Sequence, residues 1–237
     1  MDSVTLAYLL NFQGHEVHAV SFNYGQRHKK ELQFAAGLAG RGIVNSHRIV
    51  DLTNINGLLQ GSSLTDSTVE VPDGHYAAET MKATVVPNRN MIMLSIAAGY
   101  AVSMDAEFVA LGVHAGDHAI YPDCRPQFVQ NMELALRTAN EGFGKFPLPV
   151  GSSMRQPDNW MGRATYAPFI FKGKHDIVVM GHKLEVPYEL SWSCYKGGDI
   201  HCGRCGTCVE RKEAFRLARV KDPTTYEDAS FEVEAYV

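Results

Sequence analysis

Cys194, Cys202, Cys205 and Cys208 are the residues whose type and spacing speak most directly of chemistry, in the pattern C-x7-C-x2-C-x2-C with Gly203 and Gly206 after the second and third cysteines. Two tight turns of that kind can present four thiolates to one tetrahedral ion, with metal–sulfur distances of ~2.3 Å for zinc. Four protein ligands leave the ion no open position, so a structural zinc is expected, pinning the C-terminal segment to the body of the protein. An iron–sulfur cluster is the alternative, because sets of four cysteines serve both centres. Four unligated thiols this dense would oxidise. Cys124 is left alone, and an odd count with four clustered cysteines points to a metal in a reducing compartment rather than to disulfides.

Catalysis then has to come from elsewhere. Asp2 and Ser3 stand at the start of an apolar helical stretch, where they can either cap the helix or help hold a phosphate at its N-terminus. Arg89, within Pro87-Asn88-Arg89-Asn90, directly precedes the most apolar helix of the chain and is placed to hold phosphate there, a surface cap being the plain alternative. The segment Asp117 to Arg125 follows a strand, which puts it at the carboxyl edge where open α/β sheets bind ligands. Asp117, Tyr121, Asp123 and Arg125 are therefore the substrate-side candidates. His114 and His118 have the x3 spacing of a helical metal pair but fall in a loop, so no second metal is expected.

These residues need a scaffold. Val4 to Asn11 reads as a helix ending near Gly14, Glu16 to Tyr24 as a strand, Glu31 to Leu38 as a helix and His47 to Leu52 as a second strand. Residues 53 to 87 show no sustained period and read as a long, partly ordered loop over one end of the sheet. Met91 to Met104 is an almost wholly apolar helix and Phe108 to Val113 a buried strand, followed by a loop and a helix from Pro126 to Asn140. Residues 141 to 168 are rich in Gly and Pro, while Lys174 to Leu184 and Arg211 to Arg219 look helical. Strands alternating with helices imply βαβ units, hence an α/β fold with an open parallel sheet and helices on both faces.

The bulk properties agree. With 237 residues and 45% apolar content the chain can bury one substantial core, and 22 basic against 26 acidic residues give a net charge of −4. Electrostatic capture of nucleic acid has little support from that balance, so a small-molecule substrate is expected. No apolar run approaches the ~20 residues of a membrane helix, and the start lacks the features of a secretory signal. A cytoplasmic location follows.

Five stretches resemble one family, in the right order over nearly the whole chain: MDSVTLAYLL at the start, SFNYGQRHKKE at 21–31, VPNRNMIMLSIAAGYA at 86–101, YPDCRPQF at 121–128 and SCYKGGDIHCGRCGTC at 193–208. They resemble the 7-cyano-7-deazaguanine (preQ0) synthases, of the PP-loop ATPase superfamily. The resemblance implies an adenine nucleotide α-hydrolase-like, Rossmann-like fold, a homodimer, and ATP, Mg2+ and one structural Zn2+ per subunit. It implies that 7-carboxy-7-deazaguanine is activated as an acyl adenylate, that ammonia displaces AMP to give the amide, and that a second ATP carries the amide to the nitrile. Residues 1–190 would form the ATPase domain and 191–237 the zinc-binding and helical segment packed on it.

By the same resemblance Asp2 and Ser3 belong to the pyrophosphate loop, and the strand end with Ser21, Phe22, Tyr24, Gln26 and Arg27 lies where the fold receives the nucleotide. Lys174 resembles a lysine that the family carries at the start of a helix and is a candidate phosphate ligand; Arg89, Lys174, Asp123 and Arg125 together make the candidate catalytic set. A carboxylate can recognise the amidine-like edge of a deazaguanine, and an arginine can pair with its carboxylate. Cys124 is not needed as a nucleophile, since adenylation requires none.

The family motif is S-G-G-x-D-S, and this sequence begins at its x, so a native start further upstream is expected. Three other readings compete: a degenerate binding subunit that keeps the fold and zinc, an amide-forming or RNA-thiolating PP-loop ligase, and a zinc module that binds nucleic acid through Arg204, Arg211, Lys212, Arg216 and Arg219. The net charge argues against the last.

Overall fold

The computed structural model describes residues 1–76, 79–143, 160–161 and 164–232. They divide into two compact units, one comprising Met1–Pro87 with Lys174–Val237 and the other Asn88–Gly173.

The first unit opens with helix α1 (Asp2–Phe12), which buries Thr5, Leu6 and Leu10. Gly14, at φ +84°, ends it as expected: the left-handed conformation lets Gly14 and His15 donate back to the Asn11 and Leu10 carbonyls. Strand β1 (His18–Asn23) follows, then α2 (Lys30–Ala39) and β2 (Ser46–Asp51). The strands pair in parallel from His18 opposite Ser46 to Asn23 opposite Asp51, and α2 packs on both. This is one βαβ unit. Residues 53–76 and 79–87 include short 3-10 turns at Thr53–Leu58 and Glu79–Thr84, and bury Leu64, Val71, Tyr76 and Met81. The lack of period there is thus compatible with well-packed structure, since isolated side chains rather than a repeating face do the burying.

Later in the chain this unit has α5 (Lys174–Lys183) and α6 (Gly206–Ala218). Met1, Val178, Val186, Tyr188, Ala214 and Phe215 make a core shared by α1, α5 and α6. Gly181 is required where α5 meets Tyr188, because a Cβ there would collide with the phenol. That close approach lets Tyr188 donate to the Ile177 carbonyl at 3.1 Å and meet the Thr5 hydroxyl at 2.8 Å.

The second unit holds α3 (Arg89–Ser103), β3 (Val109–Ala110), α4 (Pro126–Ala139), β4 (Trp160–Met161) and β5 (Thr165–Ala167). Leu94, Ala98 and Ala101 of α3 pack with Met132 and Leu136 of α4 and with Ala164. β3 runs parallel to β5, and β4 antiparallel to it. The six-residue strand expected over Phe108–Val113 shrinks to two residues because its partner is short: a turn from Ala167 to Ile170 ends β5, and ladder bonding stops after Leu111 N–H meets the Tyr166 carbonyl. Pairing among the described residues thus falls into two short sheets, mostly parallel, one in each unit.

Glu133 of α4 supplies a tie that periodicity did not reveal. Its buried carboxylate accepts from the Ala164 and Thr165 amides and, at 2.9 Å, from the Thr165 hydroxyl. Most of the Gly/Pro-rich reading of 141–168 lies outside the described residues. No helix among the described residues is long and apolar enough to cross a membrane.

Candidate functional site

The four clustered cysteines come together through three short pieces of chain. Cys194 follows the 3-10 turn Tyr188–Leu190, Cys202 and Cys205 flank a tight turn, and Cys208 lies in the first turn of α6, which Cys205 caps. Gly203 holds that turn at φ +79°, and a side chain there would run into the Asp228 carbonyl. All four sulfurs lie within 4.8 Å of one another and are buried. Two pairs are resolved, Cys202 to Cys208 at 3.9 Å and Cys205 to Cys194 at 4.0 Å.

The surroundings favour thiolates. Backbone N–H groups of Cys202, Arg204 and Cys205 point at sulfur at 3.4, 3.4 and 3.3 Å, stabilising negative charge without supplying a counter-ion. Thiols this close cannot all ionise by themselves: contacts led by that with Cys194 hold Cys205 well below the usual thiol range, while the same kind of contact pushes Cys208 far above it. A cation among the sulfurs removes the conflict, so the donor set fits a metal. Around it, Trp192 donates to the Cys194 carbonyl at 2.9 Å and Thr207 to the Ser193 carbonyl at 2.8 Å. Trp192 is a core aromatic, stacked with His201 and Phe34.

Three of the basic residues near the cluster are spent internally, while Arg216 and Arg219 are exposed. Arg211 is fully buried, donating to Ser191 Oγ at 2.8 Å, Ser193 Oγ at 3.2 Å and the Tyr188 carbonyl at 2.8 Å. Arg204 pairs with Asp73 at 3.5 Å, and Lys212 donates to the Phe231 carbonyl at 2.6 Å. Sequence spacing made these a basic end; the fold makes them cross-braces.

Of the residues expected to hold the nucleotide, Asp2 and Lys174 meet although they lie far apart in the sequence. The Lys174 ammonium is 3.2 Å from Asp2 Oδ2 and 2.7 Å from Glu210 Oε2. Ser3, next to Asp2 in the sequence, is exposed. Glu210 was not foreseen, because its only signal is an acidic residue two positions past the last cysteine, and its partner is 36 residues away.

The end of β1 is a self-closing turn. Gln26 is fully buried, accepts from the Tyr24 amide at 2.9 Å and donates to the Phe22 carbonyl at 2.9 Å and to Glu31 at 3.0 Å. Arg27 reaches the Asp66 and Val69 carbonyls at 2.7 and 2.8 Å, holding residues 64–69. Ser21 bonds His47 at 2.9 Å. Gln26 and Arg27 thus shape the turn through bonds to their own chain, and Tyr24 is buried.

In the second unit, residues 114–125 form two successive 3-10 turns. His114 and Asp117 cap the first reciprocally, Gly116 N–H donating to His114 Nδ1 at 3.1 Å and His114 N–H to Asp117 Oδ2 at 3.2 Å. That accounts for His114 without a metal. Asp123 accepts from the Asn90 amide at 3.0 Å, covering one N–H at the start of α3 next to Arg89. Asn90 in turn donates to the Asp123 carbonyl and to Cys124 Sγ. Arg125 Nε donates to the His118 carbonyl at 2.8 Å, and Tyr121 is buried. Burial, then Asp117 and Asp123, pushes the Cys124 thiol far above the usual range, which suits a packing role and not a nucleophile.

A family model described as queuosine biosynthesis protein QueC matches residues 1–219. The chain belongs to the QueC family. Among QueC relatives, a 7-cyano-7-deazaguanine synthase of Rhizobium rhizogenes is 52% identical over 235 residues, covering 99% of this chain and 92% of the relative. Those of Rhizobium johnstonii, at 53% over 98% of this chain and 90% of the relative, and Brucella anthropi, at 52% over 98% and 91%, carry the same name. Among solved structures, the U34-tRNA thiolase NcsA of Methanococcus maripaludis with its 4Fe-4S cluster aligns over 93% of this chain and 69% of its own, at 14% identity and a TM-score of 0.40, a likeness too slight to bear on the fold.

Proposed function

We propose that this QueC-family chain converts 7-carboxy-7-deazaguanine and ammonia to 7-cyano-7-deazaguanine at the expense of two ATP, in the service of 7-deazaguanine nucleoside biosynthesis. The observation that carries the reading is identity of about half over nearly the full length of this chain and of relatives named for that product.

In this reading the carboxylate oxygen attacks the α-phosphorus of ATP and pyrophosphate leaves. Ammonia adds to the acyl carbon, AMP departs and a proton is lost, giving the amide. The amide oxygen then attacks the α-phosphorus of a second ATP, a second pyrophosphate leaves, and loss of AMP and two protons gives the nitrile. Both carboxylate oxygens therefore end on AMP. The chain's task is to bring two anions together, which needs cations and fixed donors. Lys174 and Arg89 take the phosphates, with Mg2+ carried on the nucleotide, while Asp2, Ser3, Ser21, Phe22, Tyr24, Gln26 and Arg27 form the nucleotide side. Asp117, Tyr121, Asp123 and Arg125 form the substrate side. Because Arg125 Nε is occupied by the His118 carbonyl, pairing with a carboxylate falls to its terminal nitrogens.

The metal in this reading is zinc. Bonds of ~2.3 Å about one tetrahedral ion put sulfurs ~3.8 Å apart, against the 3.9 and 4.0 Å found for two pairs; sulfurs bound to separate irons of a cluster have to stand further apart. With no open position the ion is structural, organising residues 191–237 against an ATPase body of residues 1–190. A homodimer and a cytoplasmic location complete the proposal, to be checked by sedimentation and fractionation.

The test is incubation with ATP, Mg2+, ammonium and substrate labelled with 18O in both carboxylate oxygens. Mass spectrometry should find the unlabelled nitrile and one 18O in each AMP. Unchanged acid, or label in inorganic phosphate instead, defeats the proposal.

A further inference from the structure

Lys174 begins α5 with its ammonium between two carboxylates, and all three groups are shielded: side-chain exposure is 12% for Lys174, 10% for Glu210 and 22% for Asp2. The shorter contact, 2.7 Å, is to Glu210. What distinguishes Glu210 from an ordinary ion-pair partner is its mounting. It lies in α6, two residues after Cys208, and the helix is capped by Cys205. The next residue, Arg211, is fully buried and bonded to Ser191, Ser193 and the Tyr188 carbonyl. Rotating or sliding this turn of α6 would break the cysteine cluster on one side or the Arg211 bonds on the other. Glu210 is thus held by a stiff support, and the flexible partner in the pair is the lysine.

A lysine side chain forfeits much rotamer freedom when it grips a phosphate. Holding the ammonium in place beforehand removes that cost from the binding step. We infer that Glu210 is a positioning residue which presents the Lys174 ammonium to a nucleotide phosphate, its own place being set by the cysteine cluster through α6. The inference rests on the proposed reading only in taking Lys174 as a phosphate ligand.

The experiment is a double-mutant cycle of Glu210→Gln with Lys174→Ala, read by calorimetry with a non-hydrolysable ATP analogue. Turnover, metal content, thermal melting and acylation of Lys174 by an amine reagent followed by mass spectrometry accompany it. Glu210→Gln should weaken analogue binding and raise KM for ATP about tenfold while kcat changes less than about twofold. Metal content should stay at the wild-type level and Lys174 acylation should rise. Glu210→Asp, which keeps the charge on a shorter arm, should lose about threefold. In the Lys174→Ala background Glu210→Gln should have no further effect. An unchanged Kd, an equal loss without Lys174, or a fall in kcat at constant KM overturns the inference. Should Glu210→Gln lose its metal or fail to fold, Glu210→Asp decides alone, and wild-type affinity in that variant is the overturning result. Altered analogue binding in a chain that leaves 7-carboxy-7-deazaguanine untouched would sink the proposed reaction and spare the role of Glu210.

Discussion

Residues 194–208 and 114–125 both run through tight turns into a helix N-terminus, α6 in one unit and α4 in the other. In the second segment the polar side chains find partners within the protein: Asp117 caps its own turn and Asp123 covers the Asn90 amide. In the first, the four sulfurs face chiefly one another, and the neighbouring amides favour a charge that four adjacent thiols cannot all accept. Self-satisfied groups shape backbone, whereas groups that converge without resolving their charge call for an ion.

The strongest way to break that contrast is to remove one sulfur. Cys205→Ser should abolish stoichiometric metal binding and, since the free energy of such a centre is folding free energy, lower the melting temperature by well over about 10 °C. Metal analysis and calorimetry check it; a variant that melts like the wild type would make the cluster dispensable. Next comes the brace behind it. Arg211→Leu leaves the Ser191, Ser193 and Tyr188 acceptors without their donor and should cost about 3–5 kcal/mol in denaturant unfolding, with Arg211→Lys recovering only part, because one ammonium cannot reproduce the fork.

In the other segment the effects should be smaller. Asp123→Asn keeps the shape but removes the charge at the α3 N-terminus, and should cost about 1 kcal/mol of stability. A loss of turnover far beyond that would support its assignment to the substrate side. The smallest effect concerns Cys124. Because burial and two carboxylates raise its thiol pKa, the thiolate is suppressed at neutral pH, and iodoacetamide at pH 8 should leave it unmodified in the native protein. The clustered cysteines should become reactive only once a chelator is added, and prompt Cys124 labelling without chelator would erase the difference between the two segments.

Much of the scaffold was legible because it is local. The α1 helix and its Gly14 stop, the β1–α2–β2 unit and the apolar helix α3 each announce themselves through a period or a breaker within a few residues. The second unit's short strands were not, since β3 reaches only as far as β5 accompanies it. Among site residues, Lys174 and Asp2 were picked separately, but nothing in either stretch tells that they touch. Gln26 and Arg27 were assigned to the nucleotide by resemblance, and only the coordinates expose how fully they serve the turn itself. Glu133, Arg211 and Glu210 were passed over or misjudged for one reason: a charged side chain in a polar stretch looks solvated until its distant partner is known.

By itself the sequence determined the four-cysteine cluster, the order and type of most elements, and the family, because spacing, period and motif are written along the chain. Tertiary structure alone decided which charges are braces and which are available, that Lys174 lies between Asp2 and Glu210, and that Asp123 covers a helix amide 33 residues earlier. The physical reason is that an ion pair or a buried hydrogen bond depends on distance in space and on exclusion of water, and neither is encoded at the position of one residue.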